Sequence, residues 1–125
     1  MLIKQVNRKE TLKIQTSYFA KYKGENAVSI ALSKPQWYPN CREYKKLAPN
    51  WALLNKYKQD KDEEFYIEQY YKDVLDKLDP KQVYEELGED AVLLCWEKNG
   101  FCHRFLVAKW LEDKLGIEVK EYIKE

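Results

Sequence analysis

The residues best suited to chemistry stand in one short run, Cys102-His103-Arg104, which contains the only histidine of the chain. The run follows an apolar stretch that ends at Glu97 and precedes a helical pattern, so we expect it in the first turn of a helix. Unpaired N–H groups and the helix dipole favour an anion there. An arginine can bind a phosphate or carboxylate through two N–H groups. The sequence therefore predicts an anion-binding corner formed by Arg104 and the helix terminus, with Glu97 at the end of the preceding strand as a further candidate residue of the ligand site.

The same helix terminus would lower the pKa of Cys102 and make its thiolate a candidate nucleophile. A protonated His103 would act in the same direction, although neighbouring residues on a helix point in different directions. The alternative is structural, with Cys102 as a small buried residue, His103 as a cap and Arg104 in a surface ion pair. Both interpretations stay open, and the candidate catalytic residues are Cys102 and His103.

Metal and cofactor motifs are not expected. Cys41, Cys95, Cys102 and His103 are of zinc-ligand type, but structural zinc sites usually supply paired ligands roughly two to four residues apart. No arginine follows Cys95 at the spacing of a phosphate-binding cysteine loop, and the sequence has no P-loop or glycine-rich fingerprint. Three cysteines in a chain of this length favour reduced thiols over a disulfide framework. We therefore expect no metal, no cofactor and no disulfide.

Two further groups of residues could contribute to a ligand site. Ser17 and Tyr18 end the first predicted strand and reach the same sheet edge as Glu97 if that strand runs parallel to the central one. The segment 34–58 is basic and aromatic, and could stack a nucleobase and hold phosphates. Core packing by its aromatic side chains is the competing interpretation. Its members of interest are Lys34, Trp37, Tyr38, Arg42, Tyr44, Lys45, Lys46 and Trp51.

Apolar runs and capping residues predict the elements that position these side chains. The predicted strands cover residues 12–19, 27–33, 90–97 and 117–123. Four helices are predicted. The first is a short helix that begins behind Asn50, and the second covers 63–78. The third runs from Asp79 to Gly88, and the fourth from Cys102 to Gly116. Residues 33–50, with three prolines, are expected to be more loop than regular element. The order predicts one domain over 1–125, a Rossmann-like three-layer α/β/α sandwich with a mostly parallel sheet of about four to five strands.

The last predicted helix has an apolar stripe. Its members are expected to be buried, and they are Phe105, Leu106, Ala108, Trp110, Leu111 and Leu115.

Composition limits the class of protein. A chain of 125 residues with 45% hydrophobic and 14% aromatic residues can bury one core. The net charge is +1, but residues 1–58 carry 12 basic and 3 acidic side chains, or +9, and the remainder carries −8. A basic face would attract anions, while a dipolar surface without a ligand is the alternative. We expect a cytoplasmic protein without a membrane span or signal peptide, whose oligomeric state the sequence does not indicate.

Several motifs together carry a family resemblance: TSYF, KPQWY, EYKKLAPN, YYKDVLDKLDPKQVYEEL and above all LLCWEKNGFCHR. In these the chain resembles the family called domain of unknown function 488. The resemblance implies a small Rossmann-like α/β domain, usually found alone in bacterial or viral proteins, and it maps the Cys-His-Arg motif onto Cys102, His103 and Arg104. Many members carry an arginine before a proline soon after the second strand. Here Lys34 stands at that place, so a shared phosphate contact would need the lysine as a point charge.

Two functional hypotheses follow. The first is a cytoplasmic enzyme or ligand-binding domain that acts on a phosphorylated small molecule or nucleotide at the Cys-His-Arg corner. The alternative is a nucleic-acid-binding or protein-interaction module that uses segment 34–58. A steep loss of affinity with salt would distinguish binding to nucleic acid.

Overall fold

The computed structural model describes residues 14–98 and 100–123. The start of the first predicted strand, residues 12 and 13, lies outside them. The strands in chain order are β1 (Gln15–Tyr18), β2 (Ala27–Ser29), β3 (Arg42–Glu43), β4 (Val92–Cys95) and β5 (Lys120–Glu121). The α-helices are α1 (Trp51–Asp60), α2 (Glu63–Asp73), α3 (Pro80–Leu87) and α4 (His103–Leu115), with short 3-10 turns at Lys45–Leu47 and Leu75–Lys77.

The five strands form one sheet in the order β3-β2-β4-β1-β5, and every neighbouring pair is parallel. The central strand β4 is buried along its whole length, as the unbroken apolar run predicted. Its last residue, Cys95, lies opposite Tyr18 of β1. The prediction of a single-domain α/β fold with a parallel sheet is confirmed.

Capping residues set the helix boundaries. Each of three polar side chains accepts a hydrogen bond from a backbone N–H of the first helical turn, and these N-caps are Asn50 for α1, Asp62 for α2 and Asp79 for α3. Gly116 ends α4 with φ of 68°, a left-handed conformation that glycine adopts without steric cost. The predicted helix 63–78 was too long, because the backbone leaves helical geometry at Val74 and continues as a 3-10 turn.

Side chains on the two faces of the sheet meet different layers. All four described α-helices contribute buried residues to the core that contains Val28 and Leu93. The opposite face, with Val92 and Leu94, is covered by residues from connecting loops, Phe19, Ala31 and Tyr38. The helical layer and the loop layer therefore enclose the sheet from both sides.

Two local features differ in detail from the prediction. The segment 33–50 is mostly loop, as predicted, but Arg42–Glu43 pairs with Val28–Ser29 as an edge strand. A strand of two exposed residues leaves no alternation pattern in the sequence. Phe105 is 41% exposed, whereas Val107 is fully buried, so the buried face of α4 is turned by a fraction of a turn from the predicted stripe. Among the described residues, no helix is long and apolar enough to cross a membrane.

The Tyr70 hydroxyl provides a test of the helical layer. Tyr70 is fully buried and donates to the backbone oxygen of Leu47 at 2.6 Å. Tyr70→Phe leaves that buried carbonyl without its partner, so we expect the free energy of unfolding in urea to fall by about 1–3 kcal/mol. Tyr84→Phe, at a partly buried position on α3, is the control, with a change within about 0.5 kcal/mol. Equal losses in both variants would show that the buried hydrogen bond has no special weight.

Candidate functional site

The Cys-His-Arg run lies where the sequence placed it, at the carboxyl end of β4 and the first turn of α4. Cys102 is the N-cap of α4, with an extended backbone and no side-chain capping bond. His103 and Arg104 are the first two helical residues. All three side chains are buried, at 5%, 5% and 1% exposure respectively.

Cys95 and Cys102 are joined by a disulfide, so the expectation of reduced thiols was wrong for this pair. Only seven positions separate them, and the chain reverses between β4 and α4, which brings the two side chains to one corner. The number of cysteines and the chain length indicate only whether a domain needs disulfides to fold. They do not predict that a local reversal of the chain brings two cysteines together. Cys41 is a free, half-buried thiol.

His103 bridges this corner to the neighbouring strand segment. Its Nε2 lies 2.7 Å from the backbone oxygen of Ile30, just beyond β2. A carbonyl oxygen can only accept, so Nε2 carries the proton and Nδ1 of the neutral ring has the free lone pair. Nδ1 lies 3.9 Å from the Cys102 sulfur. Burial lowers the pKa of His103 to about 4, the charge of Arg104 acts in the same direction, and the bond to Ile30 opposes both.

Arg104 is surrounded by protein partners. Nε and Nη2 donate to the two carboxylate oxygens of Glu121 at 3.1 and 2.9 Å. Nη1 donates to the backbone oxygen of Glu97 at 2.7 Å and lies 3.0 Å from the Cys95 sulfur. The guanidinium also lies near the rings of Tyr18 and Phe105. Glu121, which the sequence analysis missed, occupies the bidentate face that was predicted to bind an anion. Direct anion binding by Arg104 stays a prediction.

A cavity of about 600 Å³ opens beside the disulfide. Two tryptophans on its wall keep large exposed fractions, 66% for Trp51 and 51% for Trp96. Lys58 supplies an exposed ammonium group. The lining residues relevant to chemistry are Asn55, Lys58, Cys95, Glu97, Cys102 and His103. The arrangement combines sulfur, imidazole, a cation and aromatic surface around one space large enough for a small ligand.

Several other predicted site residues do not line this cavity. Neither Ser17 nor Tyr18 lines it: Tyr18 packs near Arg104, and the buried Ser17 hydroxyl has no hydrogen-bond partner among the described residues. Tyr38 is buried and donates its hydroxyl to the backbone oxygen of Tyr22. Trp37 is exposed, and Lys34 is half-buried. The structure therefore brings Glu97, Cys102, His103 and, from segment 34–58, Trp51 together at the cavity, whereas Ser17, Tyr18, Lys34, Trp37 and Tyr38 do not line it.

Three side chains of this corner have the chemistry of metal ligands. The sulfurs of Cys95 and Cys102 and a ring nitrogen of His103 lie within 4.8 Å of one another. Sequence spacing did not predict this cluster, because Cys95 comes from a strand and the other two from a helix start. A metal requires deprotonated sulfurs, and in the oxidised form the two sulfurs are bonded to each other. The cluster could therefore hold a metal only after reduction.

The lysines of segment 34–58 are largely paired. Lys46 contacts the Glu86 carboxylate at 3.1 Å, and Lys45 contacts Glu43 at 3.2 Å. Lys56 pairs with Asp60 one helical turn later. Segment 34–58 thus contributes Trp51 and Lys58 to the cavity, while many of its other basic groups neutralise acidic neighbours.

His103 makes stability depend on pH. Its folded pKa of about 4 lies below the ordinary value of 6.5, so the unfolded chain binds the proton more tightly. The neutral His103 ring therefore contributes about 3 kcal/mol to the free energy of unfolding. This contribution is complete above about pH 6.5 and is lost as the pH falls toward 4. We expect the wild-type free energy of unfolding to fall more between those pH values than that of His103→Gln, whose amide can still donate to Ile30. If the unfolding free energies of the two proteins changed equally with pH, His103 would not be a buried neutral histidine with a lowered pKa.

The Arg104–Glu121 pair should dominate local stability. Glu121→Gln leaves a guanidinium that is 1% exposed without its counter-charge, and we expect a loss of about 3–5 kcal/mol in urea unfolding. The matched surface pair is Lys109–Asp113, in which both side chains are more than half exposed, and Lys109→Gln should cost less than about 1 kcal/mol. Similar small losses of unfolding free energy in both variants would show that the buried pair stabilises the fold no more than a surface pair does.

Comparison with known proteins assigns the family. Residues 8–115 match a family profile described as the active DUF488-N3 subclade. No curated protein and no solved structure gave a significant match to the chain. The matched range covers most of the chain and contains the Cys102-His103-Arg104 run together with its sulfur partner Cys95. The chain therefore belongs to the domain of unknown function 488 family.

Proposed function

We propose that the protein is an enzyme that acts on a phosphorylated small molecule or nucleotide, with the reduced Cys102 sulfur as its reacting group. The observation that carries the proposal is the cavity that Cys102 and His103 line together with Trp51, Trp96 and Lys58. The proposal keeps the cytoplasmic location expected from the sequence. It uses the corner that the Cys-His-Arg motif marks.

The position of Cys102 suits a nucleophile. An N-cap thiol lies at the positive end of a helix, which stabilises the thiolate relative to the thiol. The free lone pair of His103 Nδ1 is directed toward the same sulfur and can accept its proton as the sulfur attacks an electrophilic centre of the substrate. The protonated ring can then return that proton to the leaving group.

The cavity wall offers contacts for both parts of a nucleotide. The exposed faces of Trp51 and Trp96 can stack a base, a contact that does not depend on base identity. Lys58 and the N–H groups of the first turn of α4 can hold a phosphate. In this proposal Arg104 is a positioning residue. Its guanidinium stays bonded to the Glu121 carboxylate and to the backbone oxygen of Glu97, which fixes the β4–α4 corner, and it does not bind the ligand itself.

The nucleic-acid or protein-interaction module remains the alternative prediction. Ion pairs at Lys45, Lys46 and Lys56 reduce the free positive charge of segment 34–58. Its exposed Trp37, which lies near Lys23, is the side chain most suited to stacking outside the cavity. Trp37 therefore distinguishes the two functions experimentally.

Ligand binding is tested by thermal shift on protein reduced with a phosphine. We screen mononucleotides, dinucleotides and sugar phosphates, and expect at least one to stabilise the wild type. A ligand at about one hundred times its dissociation constant adds about 2.7 kcal/mol, or several degrees. Trp51→Ala and Lys58→Gln should lose the shift. Trp37→Ala and Lys72→Gln are matched controls away from the cavity and should keep it.

Catalysis is read from the same ligands by product analysis. Cys102→Ser should keep the thermal shift and lose turnover. If no small ligand stabilises the protein, or if Trp37→Ala abolishes binding while Trp51→Ala does not, the cavity is not the binding site. Steeply salt-dependent oligonucleotide binding that requires Trp37 would establish the alternative instead.

A further inference from the structure

We propose that Cys95 and Cys102 form a redox-active pair that undergoes thiol–disulfide exchange with a low-molecular-weight thiol entering the cavity. The oxidised form has no free Cys102 sulfur, so exchange would also control the proposed enzyme. That second consequence rests on the proposed function, whereas the exchange itself does not.

The location of the disulfide favours exchange over a purely structural role. Both cysteines are almost fully buried, at 1% and 5% exposure, but both line the cavity of about 600 Å³, which is therefore the route by which a small thiol would reach them. The disulfide closes a loop of only seven positions, and the entropic gain from closing a loop falls with its length. The domain already has a continuous core of residues from the sheet and four helices. Its folding therefore does not require this short covalent link.

The surroundings of the two sulfurs differ and set the direction of attack. Arg104 Nη1 lies 3.0 Å from the Cys95 sulfur, and the guanidinium itself is almost fully buried. A buried cation at that distance stabilises a thiolate on Cys95 and makes it the better leaving group. The attacking thiol should therefore bond to Cys102, whose sulfur lies 3.9 Å from the neutral His103 ring.

The exchange balances in two steps. In the first, the incoming thiolate forms a sulfur–sulfur bond with Cys102, the Cys95–Cys102 bond breaks, and its electron pair stays on Cys95. In the second, another thiolate attacks the non-protein sulfur of the mixed disulfide, and Cys102 leaves as a thiolate at the helix terminus. Two external thiols are oxidised to one disulfide, and the protein disulfide is reduced to two thiols.

Exchange is measured on the full chain in a Cys41→Ser background, so that only the pair can react. The protein is equilibrated with reduced and oxidised glutathione at fixed ratios, quenched with acid, alkylated, and weighed as intact protein. We expect two thiols to appear together, reversibly, as the ratio becomes more reducing. A pair that stays oxidised, or that opens only when circular dichroism shows unfolding, would overturn the proposal.

Single-cysteine variants test the direction of attack. In the same background, Cys95→Ser exposes Cys102 to oxidised glutathione, and Cys102→Ser exposes Cys95. We expect the Cys102 sulfur to form the mixed disulfide at least about tenfold faster, because its attack on oxidised glutathione is the reverse of the second exchange step, whereas the contact with Arg104 makes a Cys95 thiolate less nucleophilic. Faster reaction at Cys95 would overturn the assignment. One equivalent of zinc on the reduced protein that blocks both thiols would overturn the exchange role and identify a metal site.

The same measurements separate this inference from the proposed function. Glutathione exchange is followed without any nucleotide or sugar phosphate, so it can succeed when the ligand screen fails. Conversely, ligand binding by the phosphine-reduced protein combined with an inert disulfide would support the enzyme and reject the exchange. If both hold, oxidation of wild type should abolish turnover, and subsequent glutathione reduction should restore it.

Discussion

The buried guanidinium of Arg104 is the constraint on which the arrangement of the site depends. A charge removed from water needs a counter-charge and filled hydrogen bonds, or the fold loses several kcal/mol. Here the requirement is met by Glu121 of β5, the backbone oxygen of Glu97 and the sulfur of Cys95 at the end of β4. The first turn of α4 is consequently fixed against two strands and the intervening loop at once.

His103 extends this attachment to the other side of the central strand. The sheet order places β2 on one side of β4 and β1 followed by β5 on the other. His103 bonds to Ile30 beyond β2, while Arg104 bonds to Glu121 on β5, so adjacent residues reach across four of the five strands. Successive helical side chains diverge by about 100°, which is the geometry this requires. The helix start and its N-cap sulfur therefore have little freedom to move relative to the sheet.

The elements of the site were predictable from the sequence, whereas the partners of its side chains were not. Caps such as Asn50 and Asp79, the apolar run of β4 and Gly116 act through neighbours within a turn, so local patterns reveal them. Glu121 lies 17 positions after Arg104 on a strand of two residues, and no spacing rule connects them. The disulfide depends on the path of a loop between strand and helix. Features that depend on neighbouring residues in the sequence were therefore predictable, whereas contacts that depend on the tertiary path of the chain were not.

The charge asymmetry of the chain illustrates the same limit. The basic first part and the acidic second part of the chain suggested a positive face. In the fold, however, Lys46 and Arg42 contact α3. The Lys46 ammonium pairs with the Glu86 carboxylate, and the Arg42 guanidinium donates to the backbone oxygens of Glu86 and Leu87. Charges separated along the sequence thus meet in space, because parallel β-α-β connections place successive halves of the chain beside each other. In the proposed function, recognition therefore depends on local chemistry at the cavity lined by Lys58, Trp51, Trp96, Cys102 and His103 rather than on a long-range field.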